Sequence, residues 1–429
     1  MPHPAPGPAA RSHSQPGFRV FTMADLDQLT ARAGLPPARR LKIQAAAAVT
    51  GFRVTSYVTD ELIDWSAAPD DPIYRLYFPD EDVLAGAGAG PARQTAPGPR
   101  AWPAAQQAGS RPAPGRLRPG DPALPGVRRV GHDSVLVVPA RAPASRCYAI
   151  TCPGRTWPAP GHGPAMSADG IPRLTAYLAA HPEVTSVQLT GGDPLMMGAA
   201  ALRRHVEPLL AVEQLASIRI STSALACWPH RFLNGPDGDA DDTLRLFGQV
   251  CAAGKNLTLM AGFCHPRELE PAPAGEAARR IRDTGALICT QAPVAGSVND
   301  AASIWAAMWR TQVRMGMVPG TMNLSRVTGP GRHFTVPLAR AHRIFTRAYA
   351  GVTGLARTVR GPAMRDEHGT VCIDGTAVIG TQEVFVLRYI QARDPHLIGA
   401  LFFAAFDPGA TWLTELKPAQ GLPADPRRP

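Results

Sequence analysis

The chain has almost no lysine. Of its 44 basic residues only Lys42, Lys255 and Lys417 are lysine, and the rest are arginine. Chemistry that runs through a lysine imine therefore has three candidates, because only a primary amine forms one. No apolar run approaches the ~18 residues of a membrane span. The opening M-P-H-P-A-P-G-P-A-A-R-S-H-S has no apolar leader segment either. The seven cysteines, at 147, 152, 227, 251, 264, 289 and 372, are odd in number and scattered. They argue against a disulfide framework and for reduced thiols in a cytoplasmic protein. A formal charge of +10 raises the question of nucleic acid. The arginines are spread along the chain and not interleaved with aromatics, so the expectation is a solvated basic surface that binds neither nucleic acid nor membrane.

What is present is a regular alternation. Residues 1–18 are Pro/His/Ser-rich and expected to be disordered. Residues 19–84 read as an N-terminal helical region. There, T-M-A-D-L-D-Q-L-T-A-R-A-G has helical period with Gly34 as its stop, and Pro36-Pro37 opens a second helix through Ala48. Residues 85–126 are dominated by Ala, Gly, Pro and Arg and read as a low-complexity linker. From 127 to 355, strands at 133–139, 184–190, 217–220, 257–261, 287–291 and 318–324 alternate with helices at 172–181, 199–210, 241–254, 275–285, 301–316 and 338–351. Such alternation predicts a parallel α/β sheet. No dinucleotide-type G-x-G-x-x-G follows a strand, which favours a partial, TIM-like (β/α) barrel with its chemistry at the C-terminal ends of the strands. Residues 356–429 read as a C-terminal β extension, a hairpin built on V-C-I-D-G and E-V-F-V-L.

The sharpest local signal is Q-L-T-G-G-D-P, 188–194, at the end of an apolar strand. Gly191 and Gly192 allow close backbone approach to a ligand, and Asp193 offers a carboxylate to a ligand ammonium group. The alternative is a tight turn in which Asp193 caps the segment opened by Pro194. His265 reads as a cap in its loop, Asn299-Asp300 as a helix start, and Trp305 and Trp309, four apart, as core.

The order of these features resembles the lysine 2,3-aminomutase family of radical S-adenosylmethionine proteins. The similar stretches are V-T-S-Y-V-T-D-E-L-I-D-W with D-D-P-I-Y-R-L-Y-F-P (54–79), A-L-P-G-V-R-R (123–129), T-S-V-Q-L-T-G-G-D-P-L-M-M (185–197) and S-I-R-I-S-T (217–222). F-C-H-P-R-E-L (263–269), Q-A-P-V-A-G-S-V-N-D (291–300), M-G-M-V-P (315–319) and G-P-G-R-H-F-T-V-P (329–337) follow in the same order. The resemblance implies a radical S-adenosylmethionine barrel and a 4Fe–4S cluster held by three cysteines. It also implies S-adenosylmethionine at the G-G-D-P loop, pyridoxal phosphate on a lysine, a small amino-acid substrate whose amino group migrates, and a homo-oligomer.

The chain departs from that pattern where the cofactors would be held. The three cysteine positions fall on Ser145, Ala149 and Cys152, and alanine cannot ligate iron. Cys147 lies two residues from each of the first two positions, so Cys147 with Cys152 is the alternative ligand set. Thr370 stands where the family has its lysine. Ser223 takes the place of a basic residue near the adenosylmethionine, and Ser325 or Arg326 replaces an aspartate. Three readings follow: an aminomutase-like scaffold with impaired or absent chemistry, an active enzyme with unusual cluster ligation, or a non-catalytic adenosylmethionine-binding protein.

Overall fold

The computed structural model describes residues 18–79, 124–140, 147, 165–233, 238–325, 334–365 and 368–427. The expected N-terminal disorder, most of the linker at 85–126 and Ser145, Ala149 and Cys152 lie outside the described residues.

Seven parallel strands follow one another in chain order: β4 (Ser134–Ala140), β5 (Ser186–Gly191), β6 (Ser217–Thr222), β7 (Asn256–Gly262), β8 (Leu287–Pro293), β9 (Val318–Leu324) and β10 (Arg360–Arg365). Short antiparallel β3 (Val127–Arg129) takes the outer edge of β4, and β11 (Gly369–Ile379) takes that of β10. With β12 (Gln382–Ala392) and β13 (Leu401–Ala405) they make one eleven-stranded sheet. Since both outer parallel strands are paired away, the barrel is partial and open. Parallel pairing runs beyond residue 355 into β10, so the sheet continues through the start of the expected C-terminal extension.

The connecting helices bury one stripe each. In α8 (Ala272–Asp283) the buried residues are Ala274, Ala277, Ala278 and Ile281, the 3.6-residue period of an amphipathic helix. Helix α10 (Leu338–Ala350) does the same with Leu338, Ala341, Ile344 and Ala348. Strand β6 alternates: Ile218, Ile220 and Thr222 are buried, while Ser217, Arg219 and Ser221 are half-buried on the opposite face. Full burial of a side chain such as Ile218 stabilises by roughly 2 kcal/mol, so this layer holds the sheet to its helices. Trp305 and Trp309, on α9 (Ala302–Arg314), are core as expected.

The N-terminal region contains α1 (Leu26–Arg32), α2 (Pro37–Thr50) and α3 (Pro72–Tyr77), with β1 (Val20–Phe21) paired to β2 (Val54–Thr55). Gly34 ends α1 at φ +67°, the left-handed conformation that glycine adopts without a Cβ penalty. A second apolar cluster joins this region to Cys147, Cys227, Trp228, Cys264, Ala295, Val298 and Phe334, all from segments after parallel strands. The N-terminal region is thus seated on the C-terminal end of the barrel, the end where α/β barrels keep their sites.

Candidate functional site

Strand β5 ends at Gly191, whose φ of +129° only glycine adopts without strain. Asp193 follows and is 1% exposed. Its Oδ1 accepts from the Leu195 amide at 3.0 Å, capping the short turn begun by Pro194. Its Oδ2 accepts from Thr222 Oγ1 at 2.9 Å, the Ser223 amide at 2.8 Å and Ser223 Oγ at 3.4 Å. Burial pushes the Asp193 pKa up, and the hydrogen bonds from Ser223, Leu195 and Thr222 oppose that rise. The turn-capping alternative is what the structure shows for this carboxylate, whose hydrogen-bond donors among the described residues are all protein groups. It ties the end of β5 to the end of β6.

Arg231 holds the same loop from the other side, and sequence reasoning missed it. It is 1% exposed and donates to Leu195 O at 2.9 Å, Met197 O at 3.1 Å, Thr243 Oγ1 at 2.9 Å and Asp239 Oδ1 at 2.6 Å. A buried arginine with four such acceptors is a signal that only tertiary structure supplies, because its partners are 8 to 36 residues away.

Ser223 precedes the single turn α6 (Ala224–Cys227), and its Oγ lies 3.9 Å from Cys227 Sγ. Three thiols from three different loops, Cys147, Cys227 and Cys264, are buried in the shared apolar cluster. The Cys264 pKa is pushed well up, first by a hydrogen bond with Cys147 and then by burial. Beside them Glu268, 1% exposed, accepts from the Cys264 amide at 2.5 Å, the His265 amide at 2.9 Å and the Tyr77 hydroxyl at 3.3 Å. Burial nevertheless raises its pKa to about 7. His265 caps its turn as expected, its ring accepting from the Arg267 amide at 3.3 Å. Burial, with Arg267 adding, pushes its pKa down to about 4.

Other expectations land elsewhere. Helix α9 starts at Ala302 behind Ala301, so Asp300 lies just ahead of its N-terminus, as expected, but the cap position is Ala301. The Asn299 side chain instead bonds Ala295 N, Cys264 O and Pro293 O, stitching the loops after β7 and β8 together. Lys255 donates to Val212 O at 2.8 Å and Glu213 O at 3.1 Å, beside the start of β7 and away from the mouth. Lys42 is on α2, Lys417 follows β13, and Thr370 is on β11. Among the described residues no group of three His, Cys, Asp or Glu is placed to hold a metal ion. No helix among them is long and apolar enough to cross a membrane.

No family model matches the chain. A putative L-lysine 2,3-aminomutase of Aquifex aeolicus is 30% identical over 240 residues, 56% of this chain and 61% of that protein. By sequence the chain is lysine 2,3-aminomutase-like. The L-lysine 2,3-aminomutases of Fusobacterium nucleatum and Haemophilus influenzae match at 23% and 25% identity, over 54% and 43% of this chain and 49% and 53% of their own. The aminomutase-like chain thus spans about half to three-fifths of the length of these curated relatives. Among solved structures, Streptococcus suis SuiB superposes with a TM-score of 0.39 at 14% identity, over 55% of this chain and 51% of that one. SuiB bound to S-adenosylmethionine superposes with 0.37 at 11% identity, over 52% and 44%.

Proposed function

We propose that this aminomutase-like chain binds S-adenosylmethionine at the ends of β5 and β6 and does not migrate amino groups. The observation that carries the reading is the Asp193–Thr222–Ser223 network. It keeps the Gly191-Gly192-Asp193-Pro194 loop assembled while the donors that the other two cofactors need are missing.

Adenosylmethionine fits this loop through backbone groups at Gly191 and Gly192, with Ser223 at its edge. Bound beside a reduced cluster it would supply a radical. The cluster itself does not fit the donors present. Its three positions read Ser145, Ala149 and Cys152, and Cys147 is a buried free thiol hydrogen-bonded with Cys264. Alanine supplies no ligand, and serine is a poor one for iron beside thiolate. Pyridoxal phosphate does not fit either, since an imine needs a lysine and the Lys255 ammonium is occupied by two carbonyls. The protein's own residues hold and orient: Asp193 fixes two strand ends, and the N-terminal region covers the mouth. The scattered cysteines support a cytoplasmic protein and the family resemblance a homo-oligomer, with a small amino acid as partner only if a cluster assembles.

The test is isothermal titration of the iron-free protein with S-adenosylmethionine, paired with anaerobic reconstitution by iron and sulfide. Saturable binding with no stoichiometric 4Fe–4S signal in the visible or paramagnetic-resonance spectrum is expected. A stoichiometric cluster lost in Cys147→Ala and Cys152→Ala would establish the unusual-ligation enzyme instead.

A further inference from the structure

Tyr57 belongs to the N-terminal region and is 5% exposed. Its hydroxyl is buried and has no hydrogen-bond partner among the described residues. Its neighbours in the chain are all satisfied. Thr55 Oγ1 donates to Cys227 O at 2.5 Å, Ser56 Oγ accepts from the Arg19 amide at 3.2 Å, and Thr59 Oγ1 donates to Ser56 O at 3.0 Å. Tyr77, packed in the same cluster, has found Glu268. A buried polar group without a partner is costly, and such groups in folded proteins call for an explanation.

The position supplies one. Tyr57 immediately precedes a π-helical turn, Val58–Leu62, a rare geometry frequent at functional sites. The Thr55 bond pins this segment to the loop after β6. The Tyr57 ring meets the His230 ring edge-on at 5.7 Å. Cys227 is an electrostatic neighbour of the hydroxyl, and its sulfur lies 3.9 Å from Ser223 Oγ, which bonds Asp193. The Thr55 bond to Cys227 O, the approach of Cys227 to Ser223 and the Ser223 bonds to Asp193 thus link the segment that carries Tyr57 to the adenosylmethionine loop. Burial, reinforced by Glu61 and Glu268, pushes the phenol pKa up, so the group keeps its proton and can only be useful as a donor or neutral acceptor. Glu268 accepts from Tyr77 and from two amides, not from Tyr57, whose hydroxyl has no acceptor among the described residues.

We propose that Tyr57 is a ligand-contacting residue contributed by the N-terminal region, its hydroxyl donating to an oxygen or nitrogen acceptor of the adenosyl ligand held at the β5 and β6 ends. The inference rests on the adenosylmethionine reading above. It gives the N-terminal region a specificity role in addition to covering the barrel.

The experiment is titration of wild-type protein and Tyr57→Phe with S-adenosylmethionine, with urea denaturation of both ligand-free proteins. Phenylalanine keeps the ring against His230 and removes only the hydroxyl. Affinity is expected to fall about three- to tenfold, the worth of one hydrogen bond. The ligand-free midpoint is expected to stay the same or rise, because an unpaired buried hydroxyl is gone. A purely structural hydroxyl would give the opposite pair of results. Equal affinities for the two proteins overturn the inference alone, as does a clear loss of ligand-free stability. Absence of binding by wild type overturns the adenosylmethionine reading and this inference with it.

Discussion

Arg231 and Asp239 form an ion pair at 2.6 Å in which the arginine side chain is 2% exposed and the aspartate 17%. Asp239 Oδ2 also accepts from the Ala199 amide at 2.5 Å, at the start of α5 (Ala199–Leu210). The pair therefore connects the loop after β6, the loop after β5 and the first turn of α5. Replacing Arg231 with Met takes the guanidinium from Leu195 O and Met197 O and leaves Asp239 with the Ala199 amide but no counter-charge. Breaking a buried pair in this way costs about 3–5 kcal/mol. Urea denaturation of Arg231→Met is expected to show a loss of that size, accompanied by weaker adenosylmethionine binding.

Asp193 makes a more local prediction. In Asp193→Asn one oxygen becomes an NH2 group. Oδ2 faces the Ser223 backbone N–H, which can only donate, beside the Thr222 and Ser223 hydroxyls, so an NH2 group in its place opposes that amide. Placing the amide nitrogen at Oδ1 instead confronts the Leu195 amide. Either orientation leaves buried groups unpaired, at about 1–3 kcal/mol. Thermal unfolding is expected to shift down, and adenosylmethionine affinity to fall further than in Tyr57→Phe.

Glu268 and His265 set opposing pH dependences. Glu268 has a folded pKa of about 7, above its ordinary 4.5. The folded state then binds more protons than the unfolded state between those values, and stability falls as pH rises through that window, by about 3 kcal/mol. His265 is held at about 4, below its ordinary 6.5, so the unfolded state takes the extra proton. Its contribution is present above pH 6.5 and lost as pH falls toward 4. The two partly cancel in wild type between pH 4.5 and 6.5. Glu268→Gln is expected to unmask stability that rises with pH, and His265→Gln stability that falls with it. Denaturation at pH 5 and pH 7 reads both slopes; parallel slopes in the two variants would contradict the assignment.

The lysine positions give a chemical prediction. Pyridoxal phosphate followed by borohydride is expected to leave no stoichiometric adduct at Lys255, because its ammonium is tied to Val212 O and Glu213 O. Peptide mass mapping after reduction decides it. Buried Cys227 and Cys264, 0% and 1% exposed, should likewise resist a thiol reagent until the protein is unfolded.

Much of the barrel was legible because period and length carry it. Helix α5 and strand β9 begin and end where the hydrophobic pattern placed them, and the tail hairpin formed as expected. Strand β10 was not legible. Its R-G-P-A-M-R contains Gly and Pro, which weaken a strand signal. Only pairing with β9 on one side and β11 on the other makes it a strand.

The sequence by itself determined the fold class, the Gly191–Pro194 loop and the shortage of lysine and of cluster thiols, since these depend on residue types and local spacing. Tertiary structure alone decided what those residues face. It turned Asp193 inward onto Thr222 and Ser223, hydrogen-bonded Cys147 to Cys264, and brought Tyr57 and Glu268 to the barrel mouth from segments about 200 residues apart in the chain. Hydrogen-bond satisfaction and burial are properties of the assembled interior, and no stretch of sequence contains both partners.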